Sequence, residues 1–375
     1  MRIRRMLLIL LGLALLGAAG FAVWLSRLPA ATPEASAPSV PADETQATLA
    51  ALAPPRRERP LVAIIGINDA TEVTDYLMPY GILRRADVAD VVLLATGPGP
   101  VSLYPALTVE PEATIAEFDA REPAGADYVI VPAMSRDDDP AALAWIRSQA
   151  AKGATIIGVC AGAKVVGAAG LLDGRRATTH WFYLDDLLER SPTIEYVPDR
   201  RIVADGRVVT TTGITASMPA TLTLIEAIAG RGRADSVARG LGVPGWSAEH
   251  ASGAFAITRP FALAVTRNVL AFWNDDELGI ELSPGMDEVA LALVADAWSR
   301  TYRSEAVTFA PSGDAVVTRS GLRVVPDRTA PPDERLPPIG RRPPAAALDD
   351  ALRAIDERYG TGTVNVVAMQ LEYPR

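Results

Sequence analysis

The sequence predicts an α/β protein: a doubly wound parallel sheet with crossover helices, preceded by an apolar N-terminal helix and followed by a partial second α/β unit. Three observations carry this expectation. Four apolar runs of strand length, Leu61–Ile67, Asp90–Ala95, Asp127–Pro132 and Ala154–Val159, alternate with helix-length stretches. The composition, 49% hydrophobic and 22% charged over 375 residues, belongs to a globular chain with room for one large or two medium domains. Two landmarks of the first unit also recur near the C-terminus.

The elements follow in order. Met1–Arg5 is basic and Met6–Leu25 is apolar, a run of the roughly 20 residues that a transmembrane helix needs. It predicts a single-pass anchor in contact with the bilayer through residues 6–25, with the rest of the chain on the extracytoplasmic, periplasmic side. A cleaved signal segment is the rival reading of residues 1–28. Residues 29–59, rich in Ala and Pro, read as a linker. A domain over 60–232 then carries the four strands, helices from Glu72 to Arg85 and from Pro140 to Lys152, a later strand at Arg207–Thr212 and a helix at Met218–Ala229. A helical connector covers 233–279. Residues 280–375 read as a partial, degenerate repeat of the domain's opening half, because Glu288-Val289 matches Glu72-Val73 and Leu322–Pro326 matches Leu107–Pro111. Chance recurrence of such short matches is the alternative.

The chemistry concentrates at Gly158-Val-Cys160-Ala-Gly162, where the fourth strand turns into a helix. The spacing is that of a nucleophile elbow with cysteine at its apex. Gly158 and Gly162 permit the tight turn. The helix start beneath the sulfur favours thiolate and can hold an oxyanion on backbone N–H groups, which predicts a lowered thiol pKa. The competing interpretation is a buried, inert cysteine.

Gly158–Ala163 together with Ala169–Trp181, including Gly170-Leu-Leu-Asp-Gly-Arg-Arg-Ala-Thr-Thr-His180, resembles the DJ-1/PfpI family of the class I glutamine amidotransferase-like superfamily. Within it, the stretch is most similar to isonitrile hydratase-like enzymes and to the sensor domains of AraC-type regulators. The resemblance covers residues 60–232. It implies a flavodoxin-like sandwich, Cys160 as nucleophile and an acid from the first helix. Asp75 occupies that acidic position, four residues before Pro79, with Glu72 as the fallback. His180 falls at the family's histidine position, where it could take the thiol proton or simply pack. The resemblance also places backbone donors at Ala161, Ala133 and Met134. Two departures stand out: Ala161 follows the cysteine where protease-like members have histidine, and Pro132-Ala-Met-Ser135 replaces the usual Pro-Gly-Gly.

A net charge of −9 argues against a nucleic-acid surface, and one cysteine excludes an intrachain disulfide. Two histidines and that cysteine are too few for a usual zinc site, so neither metal nor cofactor is expected. Arg136–Asp139 reads as a solvated turn, and His250 as structural. The expected partner is a small molecule. Dimers are common among the relatives, which makes a homodimer the expected assembly. Two functions fit: a cysteine-dependent enzyme for amide or C–N hydrolysis or hydration, and a non-catalytic module that senses a ligand or oxidant at the same pocket.

Overall fold

A computed structural model describes residues 2–31 and 35–373. Its centre is a seven-stranded sheet in the order Ile202–Asp205, Val208–Thr211, Thr155–Gly158, Tyr128–Val131, Leu61–Gly66, Asp90–Ala95, Ala113–Thr114. Every pairing is parallel except the hairpin between the first two. The four central strands are the four apolar runs of the sequence. They are apolar throughout because both faces are covered. In strand Leu61–Gly66, Val62 and Ile64 point into one core with Tyr76, Leu77 and Leu222, while Ala63 and Ile65 point into the other with Phe118, Trp145 and Ile146.

Local signals place the helices. Glu72 caps Val73–Ala86 by accepting the Asp75 N–H, and Asp139 caps Pro140–Ala151, with proline at the first position. Thr114 and Glu117 form a reciprocal capping box at Ile115–Arg121.

Two N-terminal expectations change. A helix forms over Arg2–Arg27, but among the described residues no helix is long and apolar enough to cross a membrane. Arg259 ties the end of Arg2–Arg27 to the domain by donating to the Ser26 and Leu28 carbonyls. The transmembrane anchor, its bilayer contact and the periplasmic placement that depended on it are therefore corrected. Residues 32–34 of the expected linker lie outside the described residues. Beyond them the linker is a brace. Helix Ala42–Ala51 packs on the domain, Tyr128 donates to the Leu52 carbonyl, and Arg56 and Arg57 both bind the buried Asp127 carboxylate. Side-chain and carbonyl partners on the domain hold a segment whose own composition has little to bury.

After Arg231–Leu241 and Arg259–Leu270, the chain forms a second unit. Strands Asp276–Glu281 and Ser304–Phe309 pair in parallel, with helix Glu288–Ser299 between them in the chain. This helix packs on Val73–Ala86. The short strand Arg323–Val325 joins Thr108–Glu110 in a separate five-stranded sheet.

Candidate active site

The elbow begins where Thr155–Gly158 ends. Val159 donates to the Val131 carbonyl, and Cys160 then takes a left-handed conformation, φ +56°, before helix Gly162–Ala168 starts. A non-glycine residue in this region is strained by roughly 1–2 kcal/mol. The turn holds because its neighbours over-determine it. The Cys160 N–H donates to Thr211 Oγ1 at 3.2 Å, and its carbonyl accepts from Thr179 Oγ1 at 3.0 Å. Glycine is obligatory at 162, where a Cβ would lie 2.0 Å from the Val131 carbonyl oxygen. At 158 the fit is merely tight: a Cβ would stand 3.2 Å from the Ala163 backbone and 3.0 Å from the Val166 side chain.

Cys160 opens into a cavity of about 500 Å³ whose lining includes Glu72, Ala133, Met134, Ala161, His180 and Arg300. Tyr104, Trp181, Phe182, Tyr183, Phe261 and Tyr302 line it as well. Lys164 sits on its wall, held at 2.6 Å from Asp137 and 2.5 Å from Asp186. The sulfur itself is nearly closed off, the residue being 3% exposed.

The electrostatics reverse one expectation. Burial pushes the Cys160 thiol well above its ordinary range, and the charges of Asp75, Glu72 and Glu372 push the same way. The Ala161 N–H is the opposing donor, and it does not prevail. The resting sulfur is a thiol. Asp75 is also fully buried, and burial, followed by the Glu72 charge, raises its carboxyl well above the carboxylate range. Its Oδ2 accepts the Ala133 N–H at 3.1 Å, while Oδ1 has no hydrogen-bond partner among the described residues. An unpartnered buried oxygen suits a protonated acid whose O–H is free for a ligand.

The remaining sequence candidates divide. Ala161 supplies its N–H to the sulfur, whereas the Ala133 N–H is taken by Asp75 and is not free for an oxyanion. Met134 lines the cavity. His180 lines it too, but both ring nitrogens are committed to backbone: Nδ1 accepts the Phe182 N–H at 3.2 Å and Nε2 lies 3.0 Å from the Gln370 carbonyl. Burial lowers its pKa, and the ring is neutral. His180 is thus not paired with the thiol. His250 stacks on Phe255 and lies 3.5 Å from Glu372.

Sequence reasoning missed Arg300 and Glu372. Arg300 bonds Glu72 at 2.8 Å and Asp296 at 2.6 Å. Burial pushes the Asp296 carboxyl up to about 8, against the pull of Arg300. Glu372 accepts the Gly213 and Trp181 N–H groups, each at 2.8 Å. Neither residue carries a local motif, and the partners that bring them to the site lie far away in the chain.

The DJ-1/PfpI family pattern matches residues 62–227. The chain is 37% identical over 161 residues to isonitrile hydratase from Pseudomonas putida, covering 42% of this chain and 67% of that one. It is 41% identical over 86 residues to the HTH-type transcriptional regulator CdhR of Pseudomonas aeruginosa, covering 23% of this chain and 25% of the regulator. A solved DJ-1 superfamily protein from Salmonella typhimurium aligns with 26% identity and a TM-score of 0.44, over 50% of this chain and all of that one. This chain belongs to the DJ-1/PfpI family.

Proposed function

We propose that the protein is a cysteine-dependent enzyme that adds water to a carbon–nitrogen multiple bond of a small molecule, with Cys160 as nucleophile and Asp75 as the acid. The observation that supports this reading most is the neutral pair: a buried thiol that feels the charge of a buried carboxyl, whose Oδ1 has no hydrogen-bond partner among the described residues. A substrate with a basic carbon or nitrogen takes the Asp75 proton as sulfur attacks its carbon, and the thiol proton passes to the Asp75 carboxylate. The net step adds S–H across the multiple bond and leaves Asp75 protonated. Water then attacks the sulfur-bearing carbon, the C–S bond breaks, and a proton returns to sulfur. The sum is hydration. The Ala161 N–H steadies negative charge on sulfur as it forms.

The 67% coverage of an isonitrile hydratase supports a hydratase, and Ala161, where the protease-like members carry histidine, argues against a protease. Tyr104, Trp181, Phe182 and Phe261 suit a substrate with an apolar body. A raised thiol argues against an oxidant sensor, since peroxide attacks thiolate. The test is turnover of small aliphatic and aromatic isonitriles and nitriles to the corresponding amides. Activity abolished by Cys160→Ser and reduced at least 100-fold by Asp75→Asn is the expected result. Turnover that survives Cys160→Ser would refute the reading.

A further inference from the structure

The second unit repeats the first at one fixed spacing. Strand Asp276–Glu281 follows Leu61–Gly66 by the same interval at which Arg323–Val325 follows Thr108–Glu110. Asp287 caps its helix as Glu72 caps the first, which moves the sequence match of Glu288 with Glu72 by one position. Finer contacts keep the same register. The Glu112 carboxylate accepts the Leu93 N–H, and the Asp327 carboxylate accepts the Thr308 N–H. Leu103 donates to the Leu107 carbonyl, and Thr318 donates to that of Leu322.

The unit also repeats the end of the domain. Helices Ser217–Ala229 and Arg231–Leu241 meet at Gly230, φ 83° and ψ 163°. Helices Pro344–Tyr359 and Thr361–Leu371 meet at Gly360, φ 81° and ψ 165°. Gly242 and Glu372 close the two pairs in the same left-handed conformation. Gly360 follows Gly230 by the same interval at which Glu372 follows Gly242, but this interval is much shorter than the one that relates the opening strands. The shortfall leaves the middle of the domain without a counterpart, and that stretch holds the elbow strand, Cys160 and His180.

The two copies meet as two subunits related by a twofold axis do, where residue i contacts j and j contacts i. Arg300 binds Glu72 at 2.8 Å, and Arg85, the counterpart of Arg300 at the opening spacing, binds Asp287 at 2.9 Å. Val109 pairs with Val324, its own counterpart, so the axis passes between them. Glu110 faces Arg323 on one side of it, and Thr108 faces Val325 on the other.

We propose that residues 276–372 are an abridged second copy of the DJ-1/PfpI fold, fused in tandem, that fills the place of a partner protomer, delivers Arg300 to the Cys160 cavity and sets Glu372 on the Gly213 and Trp181 N–H groups. The expected homodimer is replaced at this face by an internal one with a single reactive cysteine. Of the two mirror-related ion pairs, only the one with Arg300 lines that cavity. The charges that act on Cys160 among the described residues include Glu72 and Asp75 at the first helix, Glu372 after the last, Tyr183 on the wall and Arg300 from the second copy, and His180 and Lys164 line the same cavity. Arg300 is a positioning residue: it bonds Glu72 and sets a cation against the charge that sulfur acquires. This inference does not depend on the hydration chemistry.

Two experiments on the full chain test it. In a Cys160→Ser background, Glu110→Cys with Arg323→Cys puts thiols on opposed strand residues whose side chains are 42% and 50% exposed. Mild oxidation followed by intact mass should give a monomer lighter by two hydrogens. Covalent dimers, or two thiols left free, would overturn the internal pairing. With Cys160 restored, Arg300→Met and Arg85→Met remove mirror-related ion pairs. Both should lower Tm, but only Arg300→Met should slow iodoacetamide alkylation of Cys160, by about tenfold, with partial recovery in Arg300→Lys. Equal alkylation rates in the two methionine variants would overturn the role given to Arg300. Alkylation needs no turnover, so this result is separate from the fate of the proposed reaction.

Discussion

Gly162→Ala adds one methyl group at the tightest point of the elbow. The new Cβ would stand 2.0 Å from the Val131 carbonyl oxygen and 2.9 Å from the Val131 and Pro132 carbonyl carbons. Ordinary contacts of a Cβ begin at about 3.4 Å, so the helix start or the neighbouring strand has to move by more than about 1 Å. Neither is free to do so. Val131 also accepts the Val159 N–H in the sheet at 2.9 Å, and Gly162 donates to the Val159 carbonyl at 2.7 Å. Overpacking a rigid core costs about 1–3 kcal/mol and occasionally more. With backbone as the obstacle, the upper end applies, about 3 kcal/mol. For a domain of this size each kcal/mol lowers Tm by about 2–4 °C, giving a fall of roughly 6–12 °C. Gly158→Ala is the graded control. Its closest backbone approach is 3.2 Å, so it should cost about 1 kcal/mol and roughly 2–4 °C. Differential scanning calorimetry of both variants measures the pair. Gly162→Ala melting with the wild type, or no lower than Gly158→Ala, would refute the account of the elbow.

Two further outcomes follow from the same geometry. Burial holds the Asp75 carboxyl well above its unfolded value, so folding favours its protonated form. That contribution is full below the unfolded value and is lost as pH rises toward the folded one. Asp75→Asn, which keeps an acceptor for the Ala133 N–H, should therefore raise Tm near pH 7. The gain should shrink toward pH 4, and a gain independent of pH would contradict the protonated acid. His180→Ala should lower Tm, because it removes two backbone contacts that its ring nitrogens hold, yet leave the titration of Cys160 where it was. A shifted thiol in that variant would restore the Cys/His pair.

The sheet was legible because strands buried on both faces are continuous apolar runs, and Leu61–Gly66 and Thr155–Gly158 are such runs. Short, half-buried pieces such as Thr108–Glu110 and Arg323–Val325 leave no such trace, and their pairing across the chain was not legible. At the site, residue types and spacing pointed to Cys160 and the elbow glycines, and the family resemblance pointed to Asp75. The charge state was misread because an elbow at a helix start supplies donors, whereas burial and the nearby carboxylates outweigh them. Arg300 was invisible for another reason. A lone arginine after a helix has no motif, and its contact with Glu72 spans 228 residues. The fixed spacing of the two copies was its only trace in the sequence, since it makes Arg300 the counterpart of Arg85. The membrane expectation rested on the length of the apolar run and its basic flank, and among the described residues no helix is long and apolar enough to cross a membrane.

The central claim is that a buried neutral acid holds a buried neutral thiol ready. Thiolate absorbance near 240 nm, followed against pH as the difference between the wild type and Cys160→Ser, tests it most directly, because the difference cancels the nine tyrosines, which also absorb there when ionised, and leaves the only cysteine in the chain. The wild-type thiol should titrate above the free-thiol value of about 8.5, and Asp75→Asn should move that titration, because it removes the acid whose ionisation is linked to that of the thiol. A wild-type thiol that titrates at or below the free value, with Asp75→Asn leaving it unmoved, would contradict the account.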